Sequence, residues 1–334
     1  MEKNIEDKLK ELKEKGYIKF ETVGKILGAD YGEDLWVVKD LIPENSITAI
    51  AGSPGSFKTW ITLEIARCIS QGEKLFGKFD IEKHGPVVFI DKENHLKHIQ
   101  KRLKQLGFVP EYNTIYVTEE NFLIDKEDDF KKLKNMISVI KPSLIVFDSL
   151  VRIHDGDENV SKDIANVMRK FRIITNKGTS VLFIHHHRKE GAQHKKSANS
   201  IRGSSDILAG IDCLLLVEKP KDGNSLIIEQ AKLRQQQAIE PFSVEIQSDK
   251  ETGNVRFTYE GEHNPNKTAK EEAKAEVIIL LSQNEQMTRK DIVDVLSEEY
   301  STPTITNALK EIESEQRINK VVGTSGKHTY SLKK

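Results

Sequence analysis

The chain has 334 residues, a formal net charge of −1 and 31% charged side chains. That is enough for one large or two modest domains, and it excludes a global basic field, so any nucleic-acid contact must come from local patches. Cys68 and Cys213 sit in apolar runs, no run approaches the ~18 apolar residues of a membrane span, and "MEKNIEDKLK" lacks a leader's apolar segment. The expectation is a soluble, cytoplasmic protein without a disulfide framework and without a membrane partner.

In chain order, residues 1–33 are a charged segment in which Ile5, Leu9 and Leu12 recur at helical spacing. A solvated helix is one reading, a brace against a neighbouring subunit the other. The texture changes at Trp36. "SITAIAG" (46–52) predicts a short strand running into a glycine loop, and "TWITLEIARCIS" (59–70) an amphipathic helix directly after it. "PVVFI" (86–90), "LIVFD" (144–148), "SVLFI" (180–184) and "CLLLV" (213–217) are further continuous apolar runs, the signature of strands buried on both faces of a mostly parallel sheet. Helical spacing links Phe130, Leu133, Met136, Ile137 and Ile140, then Ile164, Val167, Met168, Phe171 and Ile174. This alternation argues for an α/β fold.

After Val217, "SLIIEQAK", "FSVEIQ" and "NVRFTYE" have no long helices between them and read as antiparallel strands extending one sheet edge. Residues 34–260 therefore form one domain, 261–272 a polar linker, and 273–334 a smaller domain. The last contains three helices (Ala273–Ser282, Thr288–Glu298, Pro303–Gln316) and two strands around "GTSG" (323–326), which is the winged-helix plan.

"AGSPGSFKTW" (51–60) nearly satisfies G-x-x-x-x-G-K-[ST]: Gly52, Lys58 and Thr59 are in place, and Phe57 stands where the last glycine belongs. Such a loop aims backbone N–H groups at polyphosphate from a helix N-terminus, the lysine reaching the phosphates and the hydroxyl ligating Mg²⁺. Gly55 can take a positive φ, and Phe57 keeps its N–H, so its expected penalty is one of space, its ring packing outward against its own domain or near the base. Residues 52–59 (Gly52, Ser53, Pro54, Gly55, Ser56, Phe57, Lys58, Thr59) are the candidate ATP cradle. Asp148 ends an apolar strand where a carboxylate can hold the Mg²⁺ shell, or simply cap a loop. Asp91 and Glu93 follow another strand end, where a carboxylate can orient water or face a helix dipole. In "FIHHHRKEG" (183–191) strand alternation sets His186 opposite His185 and His187, so the three do not converge on one ion; a polar strand end beside the γ-phosphate is the better reading. "RKEGAQHKKSANSIRGSS" (188–205) is a basic loop: ordinary and solvated, or tracking nucleic acid with Arg188, Lys189, Lys195, Lys196 and Arg202.

These stretches in this order resemble the AAA_25 family of RecA-like P-loop ATPases, which includes RepA-type hexameric replicative helicases. The resemblance covers roughly residues 34–247, through "LWVVKDLIPENSITAIAGSPGSFKTW", "FIDKENHLKHIQKRLKQLG", "IVFDSLVRIHDGDEN", "LFIHHHRK" and "SIRGSSDILAGIDCLLLVEK". It implies a RecA-like core that assembles as a homo-oligomeric ring, hexameric in the type members, with ATP and Mg²⁺ between subunits. By position it implies that Lys58 and Thr59 are the Walker A lysine and Mg²⁺ hydroxyl, Glu93 the water-activating glutamate, Asp148 the Walker B aspartate and His186 the γ-phosphate sensor. Arg202 lies in the family's R-G-S-S element, and Lys232 and Arg234 resemble the K-x-R element extended into a neighbour's site, so Arg202 or Arg234 completes that site. Phe57 and His187 depart from the pattern.

The implied activity is a nucleic-acid-dependent ATPase, a helicase or translocase on single-stranded DNA in a plasmid, virus or mobile element. The alternative is an ATP-switched DNA-binding regulator or loader. The tail resembles winged-helix domains, with Thr306, Asn307 and Lys310 on its third helix and Lys327 on its wing as candidate duplex contacts. Glu311, Glu313 and Glu315 on that helix would oppose phosphates, so DNA binding and protein docking both stand.

Overall fold

The structure is a computed structural model that describes residues 5–15, 21–30, 32–33, 35–111, 113–186, 205–220, 224–263, 265–322 and 328–333. The chain divides into two units, Met1–Leu35 and Trp36–Lys334. The first contains α1 (Ile5–Glu14) and α2 (Val23–Gly28), the latter capped by Thr22, whose side chain accepts from Lys25 N at 3.2 Å. Val23 and Leu27 are exposed, and α2 buries none of its residues.

In the second unit β1 (Trp36–Val38) pairs with β2 (Ile42–Pro43), and β3 (Ile47–Gly52) runs into α3 (Lys58–Gln71). There follow β4 (Val87–Asp91), α4 (Leu96–Gln105), β5 (Thr114–Val117), α5 (Glu127–Ile140), β6 (Leu144–Asp148), α6 (Ser161–Thr175), β7 (Ser180–His186), α7 (Ser205–Gly210) and β8 (Cys213–Glu218). The strands β9 (Ser225–Leu233), β10 (Phe242–Ser248) and β11 (Val255–Glu262) complete a nine-stranded sheet of order β11-β10-β9-β8-β3-β7-β6-β4-β5. The six strands from β8 to β5 are parallel, while β9, β10 and β11 add on antiparallel at one edge, as their patterning predicts.

The continuous apolar runs are explained by two cores, one on each face. Ile50, Phe89, Leu182 and Leu215 pack with Ile61, Ile65 and Ile69 of α3. Their neighbours Ala49, Phe147 and Phe183 point the other way, onto Phe130 of α5 and Phe171 of α6, as period-two alternation requires. Each fully buried phenylalanine contributes about 1.5–3 kcal/mol. Cys68 and Cys213 are buried and unbridged. Burial pushes the Cys213 thiol up to about 12. Among the described residues no helix is long and apolar enough to cross a membrane.

The tail comprises α8 (Pro265–Gln283), β12 (Met287–Thr288), α9 (Arg289–Leu296), α10 (Thr302–Ser314), β13 (Ile318–Val322) and β14 (His328–Leu332). The three strands form an antiparallel sheet of order β12-β14-β13 over a core of Val277, Leu281, Ile292, Ile305, Leu309, Ile312 and Tyr330. Most of the expected linker is helical, because α8 begins at Pro265 rather than Ala273. Alanines and lysines in "NKTAKEEAKAE" sustain the helix despite their polarity.

Candidate functional site

Parallel pairing brings the strand ends that carry chemistry side by side: Gly52 lies opposite His186, and Asp148 opposite Asp91. A cavity of about 280 Å³ opens there, lined by Pro54, Gly55, Ser56, Phe57, Lys58, Thr59, Trp60, Glu93, Asn94, Arg102, Asp148, Ile184 and His186. Residues 54–59 of the expected loop, together with Glu93, Asp148 and His186, therefore line one cavity, while Gly52 and Ser53 meet it only through the bonds their carbonyls accept from Lys58.

The first glycine is required by close approach: a Cβ on Gly52 would fall 2.3 Å from Val217 O and 2.6 Å from Ser56 Oγ. Lys58 is buried, and its Nζ donates to Gly52 O (3.0 Å) and Ser53 O (2.8 Å), which folds the loop over the helix. The first amides of α3 have no carbonyl four residues back; the first helical bond is Ile61 N to Phe57 O at 2.9 Å. Those N–H groups, with the positive end of the helix, suit an anion.

Phe57 corrects the expectation of a penalty in space. It sits at φ 66°, ψ 16°, the left-handed region, immediately before α3. The consensus glycine is a conformational demand of this turn, and a side chain there costs about 1–2 kcal/mol. The ring packs on its own domain, 6.5 Å from the Trp60 ring and with Lys219 Nζ 4.8 Å over it.

Thr59 Oγ1 donates to Asp148 Oδ2 at 2.7 Å. Asp148 is almost fully buried. Burial, then the Asp91 carboxylate and also Glu93, push its carboxyl up to about 7 against the Thr59 hydrogen bond. Burial likewise lowers the Lys58 ammonium below the usual lysine range, while Asp148 and Glu93 act in the opposite sense. Carboxylates thus outnumber cations around Thr59, and Ser56 Oγ and Ser149 Oγ are buried without a hydrogen-bond partner among the described residues. An all-oxygen donor set with surplus negative charge fits Mg²⁺.

Asp91 is assigned to the loop rather than the cavity: its Oδ1 accepts from Glu93 N (2.9 Å) and Asn94 N (3.0 Å), which sets Glu93 at the rim. His186 faces the cavity, whereas His185 is buried on the other side against Phe183. Trp60, Asn94 and Arg102 also line the cavity; all three lie inside the stretches that carry the family resemblance, but no role was expected of them.

Lys232 and Arg234 lie elsewhere. Leu233 pairs with Cys213 at the start of β8, the end of the sheet away from Gly52. Lys232 Nζ donates to Leu208 O (2.6 Å) and Ile211 O (2.8 Å), and Arg234 Nη2 donates to Ala209 O (2.8 Å), so both cap the C-terminal carbonyls of α7. Asp212 accepts from Arg172 and pairs with Arg234. Arg188, Lys189, Lys195, Lys196, Arg202 and Lys327 lie outside the described residues, as does His187.

In the tail, Asn307 and Lys310 are exposed, whereas Thr306 is half-buried; its hydroxyl accepts from Arg289 Nη2 (2.9 Å) and donates to Thr302 O (2.7 Å). The opposing glutamates are matched by lysines: Glu311 by Lys270 (2.6 Å), Glu315 by Lys274 (2.5 Å) and Glu313 by Lys320 (3.3 Å).

A mostly parallel sheet with a phosphate loop between β3 and α3 and acidic strand ends beside it defines a RecA-like P-loop NTPase fold. Residues 30–192 match the AAA_25 family, an AAA domain. Among solved structures the chain is similar to an ATPase domain (14% identity, TM-score 0.52, covering 77% of this chain and 99% of that one). It is also similar to "The Structure Of A DnaB-Like Replicative Helicase And Its Interactions With Primase" (15% identity, TM-score 0.53, covering 75% and 71%). Identities of this order speak to the fold. No curated protein matches the chain. Family match, fold and cavity together support a nucleotide-dependent ATPase.

Proposed function

We propose that the chain is an ATP-hydrolysing, nucleic-acid-dependent ATPase that assembles as a ring and acts as a helicase or translocase. The observation that supports this reading is that the residues matched by the resemblance fall into two groups at opposite ends of the sheet. Lys58, Thr59, Glu93, Asp148 and His186 share one end of the sheet, while Lys232 and Arg234 occupy the other. A cation at that end could serve a phosphoryl group only in another copy, so a catalytic role for Arg234 goes together with assembly.

In this reading Lys58 exchanges the Gly52 and Ser53 carbonyls for phosphate oxygens. Thr59 and Asp148 hold Mg²⁺, which when bound supplies positive charge to the transferring phosphoryl group. The Glu93 carboxylate orients water and takes its proton. His186 hydrogen-bonds the terminal phosphate, and Arg234 of a second copy, with Lys232 beside it, stabilises the charge that develops there. The basic segment 188–205 tracks single-stranded DNA, and Arg202 within it is the alternative to Arg234 as the arginine that completes the neighbour's site.

The lysine-matched glutamates of α10 favour a second reading, in which the tail is a winged-helix domain that meets duplex DNA through Asn307 and Lys310. ATP would then switch assembly on DNA without translocation.

The test is ATP hydrolysis with and without single-stranded DNA, alongside strand displacement. The motor reading expects stimulation with unwinding. Lys58→Ala should abolish turnover, and Glu93→Gln should lower it by about 10²-fold or more while leaving nucleotide binding intact. ATP-dependent assembly on duplex DNA without displacement would select the switch.

A further inference from the structure

A row of four side chains crosses the first turn of α3 beside the phosphate loop, and the roles assigned so far leave it unused. Lys219 Nζ lies over the Phe57 ring, Phe57 leans on Trp60 at an interplanar angle of 37°, and the Arg102 guanidinium sits 5.7 Å over the Trp60 ring. Trp60 and Arg102 line the same cavity as Lys58, Thr59 and Glu93. Trp60 is half-buried, packed against the core that α3 covers. Arg102 comes from α4 and is tethered: its Nη1 donates to Asn94 Oδ1 at 3.2 Å, and Asn94 Nδ2 donates to Asp91 Oδ2 at 3.2 Å.

We propose that Trp60 and Arg102 form a nucleobase clamp, which makes the loop a site for a nucleoside triphosphate rather than for bare polyphosphate. The inference rests on the nucleotide reading of this loop and adds the part that recognises the base. The reacting end of the polyphosphate is committed to Glu93, Asp148 and His186. The other end leaves over the first turn of α3, where Trp60 is the first large side chain after Thr59. An indole face offers stacking to a planar base, and a guanidinium stacks on the base's opposite face. Two stacked layers at about 3.5 Å each need about 7 Å between indole and guanidinium. The present 5.7 Å is therefore a closed clamp, which opens by a small withdrawal of the long Arg102 side chain. The Asn94 tether holds the guanidinium over the indole, and links base binding to the turn that carries Glu93.

The experiment uses tryptophan emission of the full chain. Trp36 is only 6% exposed, so Trp60 is the tryptophan open to a solute. ATP should quench the emission, and inorganic tripolyphosphate should compete with ATP without quenching. Trp60→Leu should weaken ATP about tenfold while changing tripolyphosphate by less than about twofold. Arg102→Ala should shift the same ratio in the same direction. Trp60→Phe, which keeps an aromatic face, should retain most of the ATP affinity and guards against a folding defect in the leucine variant. An ATP-to-tripolyphosphate affinity ratio unchanged in both Trp60→Leu and Arg102→Ala would overturn the clamp. Failure of the unaltered chain to bind either compound would instead overturn the nucleotide reading itself.

Discussion

Phe57 holds a left-handed backbone conformation that β-carbon sterics disfavour, and its ring lies between Trp60 and Lys219. The two effects separate by substitution. Phe57→Ala loses the ring contacts and keeps the strain, whereas Phe57→Gly loses the same contacts and relieves it. Glycine should therefore be the more stable variant by about 1 kcal/mol, the reverse of the usual order at helix positions, as read by denaturant midpoints. Asp148 supplies a second residue-scale prediction. Its carboxyl is raised, so the folded chain binds a proton that the unfolded chain has already lost between the ordinary carboxylate range and about pH 7. That contribution favours folding at low pH and is lost as pH rises through about 7. Asp148→Asn keeps an acceptor for Thr59 and removes the buried charge. Without metal or nucleotide it should stabilise the chain at pH 8 by about 1–3 kcal/mol and have little effect near pH 4. An equal gain at both values would sink this account of the burial.

At the scale of elements, β3 and β8 approach so closely at Gly52 that no side chain fits. Gly52→Ala sets a methyl group against the Val217 carbonyl, and backbone does not yield as a side-chain tip does. A loss of about 1–3 kcal/mol and loss of nucleotide binding are expected together, measurable by thermal unfolding with and without ATP. In the tail, Lys310→Ala should weaken duplex binding a few-fold without moving the melting temperature, because Lys310 is exposed.

Elements buried on both faces were legible in the sequence. β3, β4, β6, β7 and β8 are continuous apolar runs because helices cover both sides of the sheet. β5 was not legible: its residues Thr114–Val117 at the sheet edge are only partly buried, so selection for apolar side chains is weak there. In the site, Lys58, Thr59, Glu93, Asp148 and His186 follow strand ends and could be found by counting from the runs. Arg102 of α4 meets Trp60 of α3 and Asn94 only through side-chain contacts in the folded chain, which no spacing encodes. The left-handed turn at Phe57 was hidden because an aromatic residue is the wrong marker for it.

For the whole molecule, the central claim is that the catalytic site is divided between copies. Within one chain, Lys232 and Arg234 serve as caps on α7 at the far end of the sheet, and burial lowers the Lys232 ammonium below its ordinary range. α7 directly follows the basic segment proposed to track DNA, so both proposed trans cations rest on the element next to that segment.

The most direct measurement of that claim is ATP turnover by an equal mixture of Glu93→Gln and Arg234→Ala chains, each inactive alone. A heterologous interface pairs the intact Glu93 of one variant with the intact Arg234 of the other. The account predicts that mixing restores turnover, to about a quarter of the unaltered level if copies assemble at random. Full activity of Arg234→Ala alone, or no recovery in mixtures that demonstrably co-assemble, would contradict it.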